Sequence, residues 1–481
     1  MDKRKLINTL LRGSRSRSSC RQECLRFATG EEVLIEIVDD SHLRSLATAQ
    51  QSPLAHADLH EVVAFLYNAG QNWKRPDYVR RTVYESNLTK YLGYSPKAAQ
   101  TEADWIALLL CSSFRLFDIL AVELGAWQML DNWIAREESL IRAFPRGKVL
   151  HLVPGNVPLS AVVSLLRAVV TKNTSIVKVS AGDPFTAPAL LQSFADIDAK
   201  HPVTTSISTV YWPTSAATAI GAKFAEYVNT IVAWGGKDAL AWARKCAGPE
   251  TEIVEFGPKR SIAVIGPHNN TGDAARGAAL DISLYDQKAC FSTRQIFVHR
   301  SCYGAFRREL ALALEKLDAL IPTGKMSIDE VASRSLTKAH AGFLDALTTG
   351  SASTSWSIID EDIAGMVYHP LARTVFLTPF DEPSTIYDAI DSEVQTVAVF
   401  PWEYCPEIRD ECARRGAARI VECGLSNVFR VGGSHDGIYP LQRLVRIVSN
   451  ELPSRIRAKG INVPINQTEF IEHNKFLEFA P

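Results

Sequence analysis

The chain has 481 residues, 46% of them hydrophobic and 22% charged, a balance that excludes a disordered or fibrous polymer. At ~150 residues per domain it holds two or three domains, each able to bury a core without disulfide or metal staples. The 52 basic and 53 acidic side chains leave a net charge of −1, so no global field draws nucleic acid or an anionic membrane.

The first 26 residues carry eight Lys and Arg against Asp2 and Glu23, a composition like a transit peptide but without the apolar core of a secretory signal. We read this stretch as a solvated basic helix end. Residues 1–145 read as mainly helical: apolar spacings of three and four recur over Val62–Tyr67 and Ile106–Val122, and Val33–Ile37 is the clearest strand-like run. The most apolar stretch, Trp105–Trp127, is interrupted by Arg115, Asp118 and Glu123, so it predicts a buried amphipathic helix and no membrane span.

From Arg146 short β-type runs alternate with helical patterns. Lys148–Val153, Ser175–Val179, Ser208–Trp212, Thr230–Trp234 and Ile253–Phe256 read as strands, and Leu159–Val170, Pro188–Asp198, Ala216–Glu226 and Lys237–Cys246 as helices. That alternation predicts βαβ units and a doubly wound parallel sheet over 146–256. It restarts over 257–430, with strand-like Ser261–Ile265, Gln295–His299, Thr374–Leu377, Thr396–Phe400 and Arg419–Glu422. Helical Thr271–Tyr285, Tyr303–Leu317, Ser384–Ile390 and Glu407–Arg415 separate them. The last segment, 431–481, reads as a helix over Arg443–Asn450 and then an extended tail.

A doubly wound domain invites a search for Gly-x-Gly-x-x-Gly after its first strand, where glycines let a pyrophosphate approach a helix N-terminus. The motif is absent. Gly235-Gly236 lies between a strand and a helix, the right place for a phosphate-contacting turn, but a simple strand-to-helix turn looks the same.

Four segments remain: His151-Leu-Val-Pro-Gly-Asn-Val-Pro158, Ile176-Val-Lys-Val179, Glu255-Phe-Gly-Pro-Lys-Arg260 and Asp286-Gln-Lys-Ala-Cys-Phe-Ser292. Their order and spacing resemble the aldehyde dehydrogenase superfamily, which binds a nicotinamide dinucleotide without the full glycine motif. Val153-Pro-Gly-Asn-Val-Pro158, Asp286-Gln-Lys-Ala-Cys290 and Ser434-His-Asp-Gly437 followed by Pro440-Leu441 are similar to one branch, the LuxC-type long-chain acyl-CoA reductases of bacterial luminescence. The resemblance runs from about residue 146 to 450. It implies an aldehyde-dehydrogenase-like α/β fold with two doubly wound parallel-sheet domains, a helical N-terminal region and a C-terminal tail returning to the cofactor domain or an oligomer interface.

The resemblance makes Cys290 the nucleophile, Asn156 an oxyanion donor and Glu255 the general base. It places Lys178 at the adenosine ribose, and Ser180, Gly235, Gly236 and Pro154 are the further candidates for holding the dinucleotide. Residue chemistry bears on each. The odd cysteine count, nine, predicts reduced thiols rather than a disulfide framework, and no second ligand pair joins Cys20 and Cys24 into a zinc site. Most cysteines in such a chain are small buried hydrophobes, as Cys111 and Cys246 read. Cys290, in a polar loop beside Lys288, reads instead as a thiol placed to react.

The Asn156 amide suits a developing oxyanion, though Gly-Asn before Val-Pro also makes a good turn. Glu255 in an apolar setting would serve general acid–base chemistry; paired with Lys259 or Arg260 it would be structural. Lys178 suits a ribose or its 2′-phosphate, or is a solvated strand end. Where NAD-preferring members of the superfamily often carry Glu, this chain has Ala181; lacking that repulsion, NADPH is the expected cofactor. His435 either lines the site or caps a turn.

One departure matters. The Glu-x-Phe-Gly-Pro segment of oxidising aldehyde dehydrogenases is replaced by Thr374-Val-Phe-Leu-Thr-Pro379, without Glu. We therefore expect a cytoplasmic reductase that takes a fatty acyl thioester to the aldehyde through a Cys290 acyl-enzyme. The acyl donor is long-chain acyl-CoA or an acyl-protein, with an acyl-protein synthetase as an implied partner. The alternatives are a reductase of carrier-protein thioesters, an oxidising aldehyde dehydrogenase, and a silent organising subunit. The superfamily's habit and the apolar stretch Val463–Phe479 suggest a homo-oligomer.

Overall fold

The computed structural model describes residues 4–16, 21–47, 52–136, 139–214, 220–344, 346–351, 355–360, 369–430 and 432–451. Two seven-stranded sheets organise it. In the first, the spatial order is Glu252–Phe256, Thr230–Trp234, Lys148–Leu152, Thr174–Lys178, Ile207–Val210, Leu10–Leu11, Ser14–Arg15. The five long strands are parallel. They are rich in Val and Ile and mostly buried, as a sheet covered on both faces requires. Starting from Lys148–Leu152, the chain winds outward through Thr174–Lys178 and Ile207–Val210. It then crosses back to Thr230–Trp234 on the other side. The crevice at that reversal, beyond the carboxyl ends of the strands, is where doubly wound sheets bind ligands.

The second sheet has the order Thr348–Gly350, Ser357–Asp360, Thr374–Phe380, Thr293–His299, Arg260–Ile265, Val394–Phe400, Arg419–Glu422. All pairs are parallel except the edge pair of Thr348–Gly350 with Ser357–Asp360. The alternation expected from sequence is thus present in both sheets. The strand Thr230–Trp234 and the helices Leu159–Val170 and Lys237–Cys246 have the expected bounds.

Three expectations are corrected. Arg443–Asn450 is not a helix: Val445–Glu451 is a strand, paired antiparallel through seven positions with Ser139–Pro145. That long-range ladder overrides a local helical pattern. The basic N-terminus is not a helix end. Lys5–Ile7 pairs parallel with Glu32–Ile37, and Leu10 joins the edge of the first sheet opposite Thr209, where burying Ile7 and Leu10 outweighs the charge around them.

Nor is Ile106–Val122 one helix. Pro96–Cys111 and Ser113–Leu124 meet at 67°. Ser112 sits at φ −88°, ψ 53° between them, its hydroxyl bonded back to the Leu108 carbonyl at 2.5 Å, a competitor for helical hydrogen bonding. Among the described residues no single helix is long and apolar enough to cross a membrane. Cys20 and the segments Lys459–Glu472 and Val463–Phe479 lie outside the described residues; of the expected Ala216–Glu226 helix, Ala222–Glu226 is described.

These N-terminal helices, with Leu59–Lys74, share one core with Leu159–Val170 and Thr186–Asp198. They therefore form part of the wall of whatever opens at the crevice.

Candidate active site

A cleft of about 500 Å³ lies where the carboxyl ends of the first sheet face the amino ends of the second. One side is supplied by Pro154, Asn156, Trp234, Gly235, Gly236 and Phe256, the other by Lys288, Cys290, Phe291, Arg294 and Leu371. Away from Cys290 the lining turns apolar, with Leu108, Leu109, Leu116, Ile119, Val163 and Leu166 from the bent helix pair and from Leu159–Val170. The bend at Ser112 is what lets both helices face the cleft.

Cys290 sits in the loop before Thr293–His299 and lines the cleft. Its carbonyl accepts from Ser261 Oγ at 2.8 Å, which docks the loop on the neighbouring strand. Burial, followed by the charge of Asp436, pushes its thiol up to about 11. The Gln395 side chain and the backbone amides of Cys290 and Phe291 pull the other way by hydrogen bonding the sulfur. Those amides are the donors an oxyanion on an adduct at this sulfur would need. Asn156 lies beside them, exposed to the cleft, one amide proton donated to the Lys288 carbonyl at 2.7 Å and the other without a partner among the described residues. Asn156 and Cys290 are thus brought together.

Glu255 is placed differently from the apolar setting expected of it. Both carboxylate oxygens take the Arg244 guanidinium at 2.6 Å, and the side chain does not line the cleft. The reason is strand alternation: Val254 and Phe256 are the buried residues of Glu252–Phe256, and Phe256 takes the cleft side. The ion pair is with Arg244 rather than Lys259 or Arg260. Arg260 pairs instead with Asp391 and Glu393.

Pro154, Gly235 and Gly236 share the cleft with Cys290, whereas Lys178 and Ser180 stand at the neighbouring strand end outside it. Lys178 is largely buried, its Nζ 5.5 Å from the Tyr211 ring centroid, and burial draws its ammonium down. It makes no hydrogen bond or ion pair with a described residue, leaving three donors for a ligand. Ser180 Oγ accepts from the Gly182 amide at 3.2 Å.

Gly155 packs on that turn so closely that a Cβ would stand 2.6 Å from Ser180 Oγ and 2.8 Å from Gly182 Cα. At Gly235 the backbone has φ +150°, and Gly236 caps Lys237–Cys246 with no side chain over the helix start and open space around it. Exposed helix amides at a glycine turn, together with a lysine that has no hydrogen-bond partner among the described residues, make a donor set that fits a dinucleotide's phosphates and ribose.

The structure also shows where the predicted His435 stands, and it adds Arg167, Gln395 and Asp436, which sequence reading missed. His435 is 7% exposed and lines the cleft. Its ring stacks on Phe429 and meets Trp234 and Phe256 edge-on, and Arg167 Nη2 lies 3.2 Å from its Nδ1. It thus faces the site, and it also ends a tight hairpin, His435 to Ile438, whose central Asp436 and Gly437 both have positive φ. Asp436 Oδ1 accepts from Gln395 Nε2 at 2.5 Å, linking the hairpin to a side chain that hydrogen bonds Cys290. The Asp-Gly pair was a legible hairpin signal. Nothing local in the sequence marks Gln395 or Arg167.

The fold is aldehyde-dehydrogenase-like. An aldehyde dehydrogenase from Brucella melitensis biovar abortus superposes with a TM-score of 0.73 at 14% identity, over 93% of this chain and 98% of that one. The family model described as acyl-CoA reductase (LuxC) matches residues 54–447. The chain is 42% identical over 450 residues to the long-chain acyl-protein thioester reductase of Photorhabdus laumondii, covering 93% of each. To the protein of that name from Vibrio harveyi it is 40% identical over 452 residues, 94% of this chain and 95% of that one. The chain belongs to the LuxC acyl-CoA reductase family, whose activity class is acyl thioester reduction.

Proposed function

We propose that this protein reduces a long-chain acyl thioester to the aldehyde through an acyl group held on Cys290, with NADPH as reductant. The observation that carries this reading is the continuity of the cleft: Cys290 and Asn156 stand at one part, and an apolar passage leads away from them. The cleft's volume of about 500 Å³ and its apolar lining suit an extended acyl chain. Curated relatives are named for acyl-protein thioesters, which favours a donor delivered by a partner protein, such as an acyl-protein synthetase, over free acyl-CoA.

The Cys290 thiolate attacks the thioester carbon, a C–S bond forms, and the donor thiol departs with the proton that Cys290 gave up. Asn156 and the amides of Cys290 and Phe291 hold the oxyanion; losing one such donor costs ~3–4 kcal/mol of transition-state stabilisation. A bound nicotinamide dinucleotide would supply the hydride that converts the acyl-enzyme to the aldehyde level. Gly235, Gly236 and Pro154 would hold it within the cleft, with Lys178 and Ser180 at the ribose. With Glu255 occupied by Arg244, the carboxylate linked to Cys290 is Asp436, through Gln395. Ala181 leaves a 2′-phosphate unopposed at its own position, which is the support for NADPH. The absence of a carboxylate along Thr374–Phe380, a largely buried strand, disfavours the oxidising alternative.

The test is NADPH oxidation with tetradecanoyl-CoA and with a tetradecanoyl-protein donor, for the wild type and Cys290→Ala. Aldehyde formation that disappears in Cys290→Ala supports the reading, and equal turnover by Cys290→Ala overturns it. A purely oxidative enzyme would show aldehyde consumption instead.

A further inference from the structure

An arginine with a buried, unpartnered nitrogen beside an apolar cavity needs an explanation, because a guanidinium out of water without an ion-pair partner is costly. Arg167, on Leu159–Val170, lines the cleft and has no carboxylate at ion-pair distance among the described residues. Glu123 and Asp436 are the nearby carboxylates, and both are engaged elsewhere: Glu123 accepts from the Leu441 amide at 2.8 Å, Asp436 from Gln395. Arg167 Nη2 donates to His435 Nδ1, so the ring proton of His435 sits on Nε2. Two buried donors are then left over, Arg167 Nη1 and His435 Nε2, neither with a hydrogen-bond partner among the described residues. Both belong to residues lining the cavity that contains the apolar passage.

From this geometry we infer that the cleft also binds a free long-chain fatty acid, its carboxylate on Arg167 and His435 and its chain along Leu108, Leu116, Ile119 and Val163. A carboxylate supplies both missing acceptors and a counter-charge nearer than those of Glu123 and Asp436, which a neutral chain end does not. Burial draws the Arg167 guanidinium down only to about 10, so it stays a cation at neutral pH, and Arg419 adds a second positive charge facing His435. The inference rests on the acyl reading of the cavity and extends it to a second ligand class. The free acid is the hydrolysis product of the thioester and the feedstock of the reaction that makes the thioester, so its capture here makes it a competitor for the same space.

The experiment is displacement of a fluorescent polyene fatty acid from the full-length protein by tetradecanoate and by tetradecanol. The wild type should bind the acid about 10- to 100-fold more tightly than the alcohol, the range for charge-assisted hydrogen bonds. Arg167→Met should erase that preference while leaving the alcohol in place, and Arg167→Lys should restore part of it. Tetradecanoate should also compete with a tetradecanoyl thioester for labelling of Cys290. Equal affinity for acid and alcohol in the wild type would overturn the inference, as would a preference that survives Arg167→Met. Should the wild type bind both equally while Arg167→Met loses Cys290 labelling, Arg167 serves the thioester carbonyl instead, and the inference fails. Absence of any Cys290 labelling in the wild type would instead sink the acyl-enzyme reading, which separates the two failures.

Discussion

The two sheet edges that meet at the cleft are built in opposite ways. The first sheet presents carboxyl strand ends that break into open turns: Val153 to Pro158, Ser180 to Gly182, and Gly235-Gly236, where Gly155 and Gly182 almost touch and Gly236 leaves free space. The second sheet presents amino strand ends locked by buried polar groups. Tyr285, Asp286 and Gln287 run consecutively at φ 57°, 48° and 61°, and Leu371, Ala372 and Arg373 do the same at 57°, 51° and 53°. Left-handed backbone costs a non-glycine residue ~1–2 kcal/mol, so each run must be held from outside. Arg373 holds them by ion pairs to Asp286 at 2.7 Å and Asp318 at 3.0 Å. Gln287 adds bonds to the Thr293 and Thr374 carbonyls. On the proposed reading the first edge admits a diffusible ligand, which needs vacant space and bare amides, and the second carries the reacting sulfur, which needs a loop that does not move.

The lock can be broken most severely at Arg373. Arg373→Met leaves Asp286 and Asp318, both mostly buried, without their common cation. Removing one member of a buried ionic group costs ~3–5 kcal/mol, and partial exposure of the two carboxylates puts this case at the low end. Urea denaturation should show that loss, together with slower alkylation of Cys290 in the protein that remains folded. A loss below ~0.5 kcal/mol would mean that backbone bonding alone holds the turns.

The open edge should fail differently. In Gly155→Ala the new methyl meets the Gly182 backbone at 2.8 Å, and backbone has little freedom to retreat. Overpacking of this kind costs ~1–3 kcal/mol. The contrast expected is weaker dinucleotide binding by calorimetry with unchanged Cys290 alkylation. Equal damage to both readouts would show that the two edges are one mechanical unit.

How much of this was legible beforehand follows the same division. The open edge could be read from short motifs, because glycines, prolines and the strand–helix alternation around Thr230–Trp234 act locally. The lock could not. Arg373 meets Asp286 across 87 positions, and Asp436 meets Gln395 across 41, so no window of sequence contains either pair. Where Glu255 points was not legible for a related reason: its motif was recognisable, but which face of a five-residue strand turns to the cleft depends on register with Thr230–Trp234. The Val445–Glu451 strand was missed because its partner lies some 300 residues earlier, at Ser139–Pro145.

The smallest expected effect is the sharpest probe of how the locked edge tunes its sulfur. With a thiol at about 11, only about one molecule in a thousand carries the thiolate at pH 8, so the alkylation rate of Cys290 should climb about tenfold per pH unit toward that value. Two neighbours push in opposite senses. The Asp436 charge raises the thiol, so the isosteric Asp436→Asn should lower its midpoint and speed alkylation at pH 8. The Gln395 hydrogen bond lowers it, so Gln395→Met should move the midpoint up and slow the same reaction. The two side chains touch each other at 2.5 Å, so mere loosening of the hairpin would move both variants the same way. Shifts of opposite sign therefore mean that the pair acts on the sulfur electrostatically, and shifts of one sign mean that it acts only by holding the His435–Ile438 turn in place.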